Sequence, residues 1–203
     1  MDEKIVPSYE GHRRENLKRL TILVLALTLI VTSLSASGDL GAGVGLSMPA
    51  HGIVLDEEGL FEVPLDSYFE TGIRSEVSGG WTLGKLFHIG LSASFSYNQA
   101  QIDDYDYLVA LPLAVDFGLW PSLGQVRLPM TLSAGGYLEV LDGKLSYGPY
   151  LAASIGLSFP LGEELSLVVE AGAETFVQFA DSFSTIAMRF GLSPLTVRLD
   201  CTI

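Results

Sequence analysis

The most informative pattern in this chain is the alternation of large apolar with small or polar residues between positions 87 and 97. Successive side chains of a β-strand point to opposite faces, so residues of one parity share a face. One face holds Phe87, Ile89, Leu91, Ala93, Phe95 and Tyr97. The other holds His88, Gly90, Ser92, Ser94 and Ser96. Because the second face carries almost no charge, the pattern favours a strand whose apolar face meets lipid and whose small face meets a narrow lumen.

The same period of two returns after each turn signal and predicts eight strands. Their predicted bounds are 40–48, 69–78, 87–97, 105–119, 126–140, 145–159, 165–179 and about 185–203. The longest predicted loop runs from Pro49 to Asp66, and the dipeptide Asp142-Gly143 predicts a tight hairpin turn. Since Pro194 has no backbone N–H, we expect a bulge or a bend in the last strand, or a break followed by a ninth short segment.

These strands predict a single all-β domain over residues 38–203. Eight strands give roughly 21 residues for each strand with its connection, which suits tilted membrane spans of about 9 to 11 residues. In lipid, every backbone donor and acceptor needs a partner within the protein, so the sheet must close on itself. The predicted fold is therefore a closed antiparallel up-and-down transmembrane β-barrel. With both termini in the periplasm, the loops at 49–66, 98–104, 142–143 and 180–184 face outside.

Aromatic residues cluster near the ends of the predicted strands, where the two interfacial girdles of a membrane barrel lie. The set comprises Tyr68, Phe69, Trp81, Phe87, Tyr97, Tyr105, Tyr107, Phe117, Trp120, Tyr147, Phe159, Phe179 and Phe183. Their placement supports the same architecture.

The first 37 residues have the features of a signal peptide. Basic residues at 12–19 precede an apolar run from Leu20 to Val31, and small residues follow it. The run has roughly 12 to 15 apolar residues, short of the roughly 20 that span a bilayer as a helix. We expect cleavage near residues 35–37, and since no cysteine lies there, we expect no lipid attachment.

The remaining chain, 38–203, is acidic, with six basic residues against twenty acidic ones. Such a surface repels nucleic-acid phosphates, so no nucleic-acid partner is predicted. The acidic runs at 56–58 and 103–104 fall between strands; they read as solvated loops, with a cation site bridging to anionic lipid as the alternative. The lone cysteine, Cys201, can form no internal disulfide.

The pattern of residues 38–203 resembles the small outer-membrane β-barrel superfamily, which includes the OmpA-type transmembrane domain and the OmpX-like proteins. The resemblance rests on the alternation of faces in eight strands, not on a diagnostic motif. It implies the outer membrane of a diderm bacterium, assembly by the barrel-insertion machinery, and a role in envelope integrity, adhesion or host-factor binding. Such barrels often end in Phe, whereas this chain ends Asp200-Cys201-Thr202-Ile203.

Charged residues on the small-residue faces form the one candidate constellation. They are Glu70, Arg74, Glu76, Asp106, Asp116, Arg127, Glu139, Glu170, Glu174 and Arg189, with Arg198 and Asp200 as further candidates. The lumen of an eight-stranded barrel holds little more than side chains, so we expect a structural network of ion pairs that plugs it. Because carboxylates outnumber arginines, we expect some acids to be protonated, hydrated or bound to cations. A cation-selective trickle pore is the alternative.

The predicted function is a non-enzymatic integral outer-membrane protein with a structural, adhesive or weak pore role. Two other classes compete: a soluble periplasmic lipocalin-like barrel that binds lipid, and a lipid-modifying barrel enzyme. His88 has no serine or acid at a matching offset and His51 lies in a predicted loop, so the sequence predicts no catalytic, cofactor-binding or metal-binding residues. The expected partners are outer-membrane lipid, the insertion machinery and an extracellular ligand at the 49–66 loop, with the protein a monomer.

Overall fold

A computed structural model describes residues 38–56, 59–84, 86–101, 106–141, 143–180 and 185–203. The predicted signal peptide, residues 1–37, and its cleavage region lie outside the described residues. The described part of the chain contains no helix that is long and apolar enough to cross a membrane.

The described residues form eleven β-strands and a single turn of 3₁₀ helix at Leu65–Ser67. The strands are β1 (Asp39–Asp56), β2 (Gly59–Val63), β3 (Gly72–Leu83), β4 (Phe87–Gln99), β5 (Tyr107–Leu119), β6 (Ser122–Leu123), β7 (Val126–Arg127), β8 (Met130–Leu141), β9 (Lys144–Pro160), β10 (Leu165–Ala180) and β11 (Thr185–Thr202). Three of them, β2, β6 and β7, are short additions at the two ends of the molecule.

The eight long strands close into a barrel. Each pairs antiparallel with the next in the order β1, β3, β4, β5, β8, β9, β10 and β11. The last strand returns to the first, with Leu40 paired to Cys201 and Leu55 to Ile186. Closure leaves no long sheet edge, which is the condition for a sheet that spans lipid. The prediction of a closed eight-stranded up-and-down barrel is confirmed.

The outer surface of the barrel is apolar. On β9, Tyr147, Leu151 and Ile155 are each more than half exposed, while Tyr150 between them is 3% exposed. The two parities of this strand therefore face opposite ways, as predicted. Because the large apolar side chains point outward and the acids and arginines point inward, the arrangement is the reverse of a lipocalin, in which the apolar face lines the interior.

The outer end of β1 differs from the sequence prediction. Residues 49–66, predicted as the longest loop, contain the second half of β1, which stays paired with β11 through Leu55, and then β2, which folds back onto β1. A register shift between Pro49 and His51 carries the strand past the proline. Such a bulge reverses which parity faces outward, so the alternation that revealed the other strands is interrupted here. The loop prediction was wrong for this reason.

Two prolines alter the wall at the opposite end and near the middle. The predicted strand 126–140 is interrupted by buried Pro129, whose carbonyl accepts a hydrogen bond from the Gly156 N–H at 2.8 Å, and β8 begins only after it.

At Pro194 the last strand continues, because Ser193 pairs with Gly172 and Thr196 with Glu170, leaving one extra residue on β11. The bulge expected at Pro194 is therefore present, and no ninth segment follows it.

Candidate functional site in the barrel lumen

Glycines on the inner face of β1 leave room for the long side chains of its neighbour. A Cβ atom added at Gly43 would lie 3.0 Å from the Cβ of Arg198, and one at Gly41 would lie 2.5 Å from Asp200 Oδ1. The small-residue face recognised in the sequence is thus the space through which the charged side chains of β11 extend into the lumen.

Arg198 lies at the centre of the charged side chains in the half of the lumen nearer the chain termini. Its guanidinium binds Asp200 through Nε at 2.6 Å and Nη2 at 3.2 Å, a two-point contact. Its Nη1 also lies 3.2 Å from Glu76 Oε1 and 3.2 Å from Glu170 Oε1. Charge-assisted contacts of this kind are stronger than neutral hydrogen bonds. One arginine therefore ties together β3, β10 and β11.

Arg74 continues the network toward the outer end. Its Nη1 lies 2.6 Å from Glu174 Oε2 and its Nη2 lies 3.3 Å from Glu76 Oε2. The Tyr150 hydroxyl donates a hydrogen bond of 3.2 Å to the same Glu174 oxygen. Glu76 contacts both Arg74 and Arg198, so it joins the two halves into a single network.

Negative charge exceeds positive charge in this network. Two arginines face four carboxylates, namely Glu76, Glu170, Glu174 and Asp200. Buried Asp116 lines the same space and accepts a hydrogen bond of 3.0 Å from the Ser92 hydroxyl. The side chains surround a polar cavity of about 50 Å³, large enough for a few water molecules.

An aromatic layer lies on the outer side of this cavity. The ring of Phe176 is 2% exposed and meets Tyr137 edge to face, with ring centroids 5.1 Å apart, and Tyr150 at 5.2 Å. Arg189 is salt-bridged to Glu139 and places its guanidinium carbon 3.7 Å from the centre of the Phe176 ring. This layer lies across the lumen on the side of the outer loops.

A second aromatic contact lies at the end of the barrel where the chain termini meet. His88 and Trp120 stack with their ring centroids 4.2 Å apart and an angle of 7° between the rings. The carboxylate of Asp39 is 3.6 Å from His88 Nδ1. Trp120 was expected in an interfacial girdle, but its side chain folds back over the lumen and is buried.

The structure brings together most of the predicted lumen residues. Arg74, Glu76, Glu170, Glu174, Arg198 and Asp200 form the central network, Glu139 pairs with Arg189, and Asp116 lines the central cavity. Glu70, Asp106 and Arg127 are instead exposed at strand ends. The physical reason is that β3 and β5 begin after Glu70 and Asp106, while Arg127 lies in the short β7, which pairs with the end of β9 and is separated from β8 by Pro129.

Two aromatic residues are buried where the sequence analysis did not predict it. Phe69, expected in an interfacial girdle, is buried and forms a β-bridge with Ala100. Phe176 has the same parity as Glu174, so the alternation contained the signal for its inward position. Within the described residues, no group of three or more His, Cys, Asp and Glu side chains could hold a metal ion.

Solved outer-membrane proteins share this architecture. The outer membrane protein OprG from Pseudomonas aeruginosa aligns with a TM-score of 0.50 at 10% identity, covering 83% of this chain and 97% of that one. Neisserial surface protein A aligns with a TM-score of 0.49 at 11% identity, covering 82% and 99%. The attachment invasion locus protein Ail of Yersinia pestis aligns with a TM-score of 0.37 at 13% identity, covering 80% and 99%.

No protein-family model matches the chain, and no curated protein matches it. At identities this low the likeness concerns the fold alone, and the alignment with OprG supports that fold. The chain has the fold of the small outer-membrane β-barrels, in agreement with the resemblance seen in its sequence. The predicted location, the outer membrane of a diderm bacterium, is in keeping with that fold and with the apolar outer surface.

Proposed function

We propose that this outer-membrane barrel is a non-enzymatic, monomeric protein with a structural role in the envelope, and that its lumen does not conduct. The observation that carries the proposal is that the lumen is filled across its width. The ion-pair network lies between the Tyr137–Phe176 layer on the outer side and the His88–Trp120 stack on the side of the termini.

The network also braces the barrel across its interior. Arg74 on β3 reaches Glu174 on β10, and Arg198 on β11 reaches Glu76 on β3. In the wall, β1 separates β3 from β11, and β1 and β11 separate β3 from β10, so these contacts join strands through the lumen that are not neighbours in the sheet. A structural role requires ion pairs that keep the cross-section of the barrel from flattening. A pore requires the same volume to be filled by water.

The excess of carboxylates supports the alternative weak pore role, selective for cations. We expect that role to be minor, because aromatic side chains flank the charged cavity at both ends. The partners that the proposal requires are outer-membrane lipid around the apolar belt and the insertion machinery during assembly.

Conductance in planar lipid bilayers tests the proposal. We expect the refolded protein to give no discrete current steps, with a heat-dependent shift in gel mobility as the check that a closed barrel has formed. The double variant Arg74→Ala and Arg198→Ala removes both cations of the central network. It should give cation-selective current steps that the unaltered protein does not give. Regular current steps from the unaltered protein would assign it a pore role instead.

A second candidate function is binding of an extracellular ligand, and the β1–β2 hairpin favours it. Leu55 and Leu60 are paired across the hairpin and share one face, and Phe61 lies on the other face; all three are more than 40% exposed. Large apolar side chains exposed at a loop tip are typical of interaction surfaces. Adherence of expressing cells to epithelial monolayers should fall in the double variant Leu60→Glu and Phe61→Glu while the amount of barrel at the surface stays the same. Unchanged adherence would remove this candidate.

A further inference from the structure

We infer that His88 and Trp120 form a removable plug, so that the carboxylate-lined cavity is reached by small cations from the end of the barrel where the chain termini lie. This inference rests on the closed lumen proposed above and adds that the two closures differ. On the side of the outer loops the lumen is crossed by a packed aromatic layer, namely Phe176 with Tyr137 and Tyr150. At the end of the chain termini it is crossed by the stacked rings of His88 and Trp120.

The position of the stack places it over the lumen opening. Trp120 directly follows the end of β5, and its backbone N–H donates a hydrogen bond of 2.7 Å to the Leu86 carbonyl, which anchors the chain at the rim. His88 is the second residue of β4 and points inward. Asp39 and Thr202 pair at this same end, which identifies it as the end of the termini.

Three neighbouring strands each have a glycine where the two rings lie. A Cβ atom at Gly118 would be 2.7 Å from Trp120 Nε1, one at Gly80 would be 2.7 Å from His88 Nε2, and one at Gly90 would be 2.9 Å from the same nitrogen. Contacts under 3.0 Å force a displacement. The glycines of β3, β4 and β5 therefore form a cradle around the stack, although at Gly80 and Gly90 a Cβ would also meet neighbouring backbone, the Ile89 carbonyl oxygen at 2.6 Å and the Gly79 carbonyl oxygen at 2.8 Å.

Behind the stack lies a small cavity next to the central one. It has a volume of about 20 Å³, and its lining, about half polar and half apolar, includes Asp39, His88, Trp120, Asp116 and Arg198. Asp116 and Arg198 also line the cavity of about 50 Å³. The two cavities thus share Asp116 and Arg198 in their walls, and the His88–Trp120 stack lines the smaller cavity on the side of the chain termini.

The side chains of the two rings make no hydrogen bond within the described part of the chain. Trp120 Nε1 and His88 Nδ1 are buried and have no hydrogen-bond partner in the described part of the chain. The 3.6 Å separation between His88 Nδ1 and Asp39 Oδ2 is too long for a hydrogen bond. A buried donor without a partner disfavours the closed position relative to one in water. The outer layer also contains a buried nitrogen without a partner, Arg189 Nε, but there the guanidinium is salt-bridged to Glu139 above Phe176, so the stack is the less firmly fixed of the two.

Cysteine labelling tests this inference directly. Cys201, the only cysteine of the chain, is replaced by Ser, and Ser133, which lines the central cavity, is replaced by Cys. The probe is a small cationic methanethiosulfonate reagent, and mass spectrometry of the refolded full chain follows the reaction. We expect slow labelling in this parent and labelling at least about tenfold faster after Trp120→Ala. Trp120→Phe keeps an aromatic ring and should stay slow.

Two controls accompany the comparison. Trp81→Ala removes the other tryptophan, which faces outward, and should leave the rate unchanged. Gly162→Cys places the thiol in a turn with open space around it and should label fast in every background. The heat-dependent gel shift checks closure of each variant, and Trp120→Leu replaces Trp120→Ala if that variant does not fold.

Equal labelling rates at position 133 with and without Trp120 would overturn the plug. That outcome leaves the non-conducting function standing, since conductance measures passage through both closures. Conversely, current steps from the unaltered protein would overturn the non-conducting function, while a rate increase on Trp120→Ala would still identify the plug.

Discussion

The guanidinium of Arg74 lies 2.6 Å from the carboxylate of Glu174 across the lumen, although the two residues are 100 positions apart in the sequence. Both side chains are nearly buried, with 10% and 3% of their surfaces exposed. Removing either partner of such a contact leaves the other as an unpaired buried charge, which strongly destabilises the folded protein.

Arg74→Ala is therefore expected to lower the free energy of unfolding by about 3 to 5 kcal/mol. Its physical cause is that Glu174 loses its closest cation in a region with little water. Denaturant titration of the refolded barrel in lipid vesicles measures the effect. Arg127→Ala removes an exposed arginine and should change the free energy by less than about 0.5 kcal/mol.

A double-mutant cycle separates pairing from other effects of the Arg74 substitution. Arg74→Ala combined with Glu174→Ala should be less destabilising than the two single changes added together, because the second change removes the orphaned charge. Strict additivity would contradict the assigned pair.

Adjacent glycines on β8 give a matched test of the wall geometry. A Cβ atom at Gly135 would lie 1.9 Å from the Leu113 carbonyl oxygen, whereas the nearest atom to one at Gly136 is 3.6 Å away. Gly135→Ala must displace backbone and should cost at least about 1 to 3 kcal/mol, the usual range for overpacking. Gly136→Ala should be close to neutral in the same refolding titration. Similar effects at the two positions would mean that the register of β5 against β8 is wrong.

The sequence predicted the wall of the barrel well, because lipid and lumen impose a period of two on every strand that separates them. Leu151 and Tyr150 are neighbours in sequence, yet they face lipid and lumen respectively, as their parity requires. The prediction failed at Pro49, where a bulge changes the parity. A single extra residue reverses the faces without leaving a mark in the composition, so the β1–β2 hairpin was mistaken for a loop.

The lumen was predicted in its residue types but not in its pairs. That Arg74 meets Glu174 depends on the shear of the closed barrel, which sets how far strands on opposite sides are staggered. No local pattern encodes this quantity. Trp120 illustrates a different case, because it shares its parity with Asp116 and Gly118, and extending the alternation one step past β5 would have placed it in the lumen.

The lipid-facing surface leads to a third prediction, which uses two leucines. Leu91 lies in the middle of β4 and faces outward, and Leu161 lies in the turn after β9. An arginine near the bilayer midplane costs about 2 to 4 kcal/mol, and the penalty falls to about 0 to 1 kcal/mol near the interfaces. We therefore expect Leu91→Arg to lower the unfolding free energy in vesicles well beyond Leu161→Arg. Equal tolerance of the two substitutions would contradict the outward facing of β4.

The glycine cradle leads to a fourth prediction, read by fluorescence. With Trp81→Phe, Trp120 is the only tryptophan left in the chain and reports on its own surroundings. Gly118→Ala introduces a methyl group 2.7 Å from Trp120 Nε1 and 3.1 Å from His88 Cβ, so the indole must leave the stack or the strand must move. We expect its emission to shift to longer wavelength and its quenching by aqueous iodide to rise.

Gly162→Ala is the control for this measurement, since no atom lies within 4 Å of a Cβ at that position. The wall strands should be unaffected in both variants, which the heat-dependent gel shift checks. An unchanged emission spectrum in Gly118→Ala would mean that the wall yields and the stack does not. The rings would then be a fixed part of the core, because a plug that can leave the lumen must move before the strands around it do.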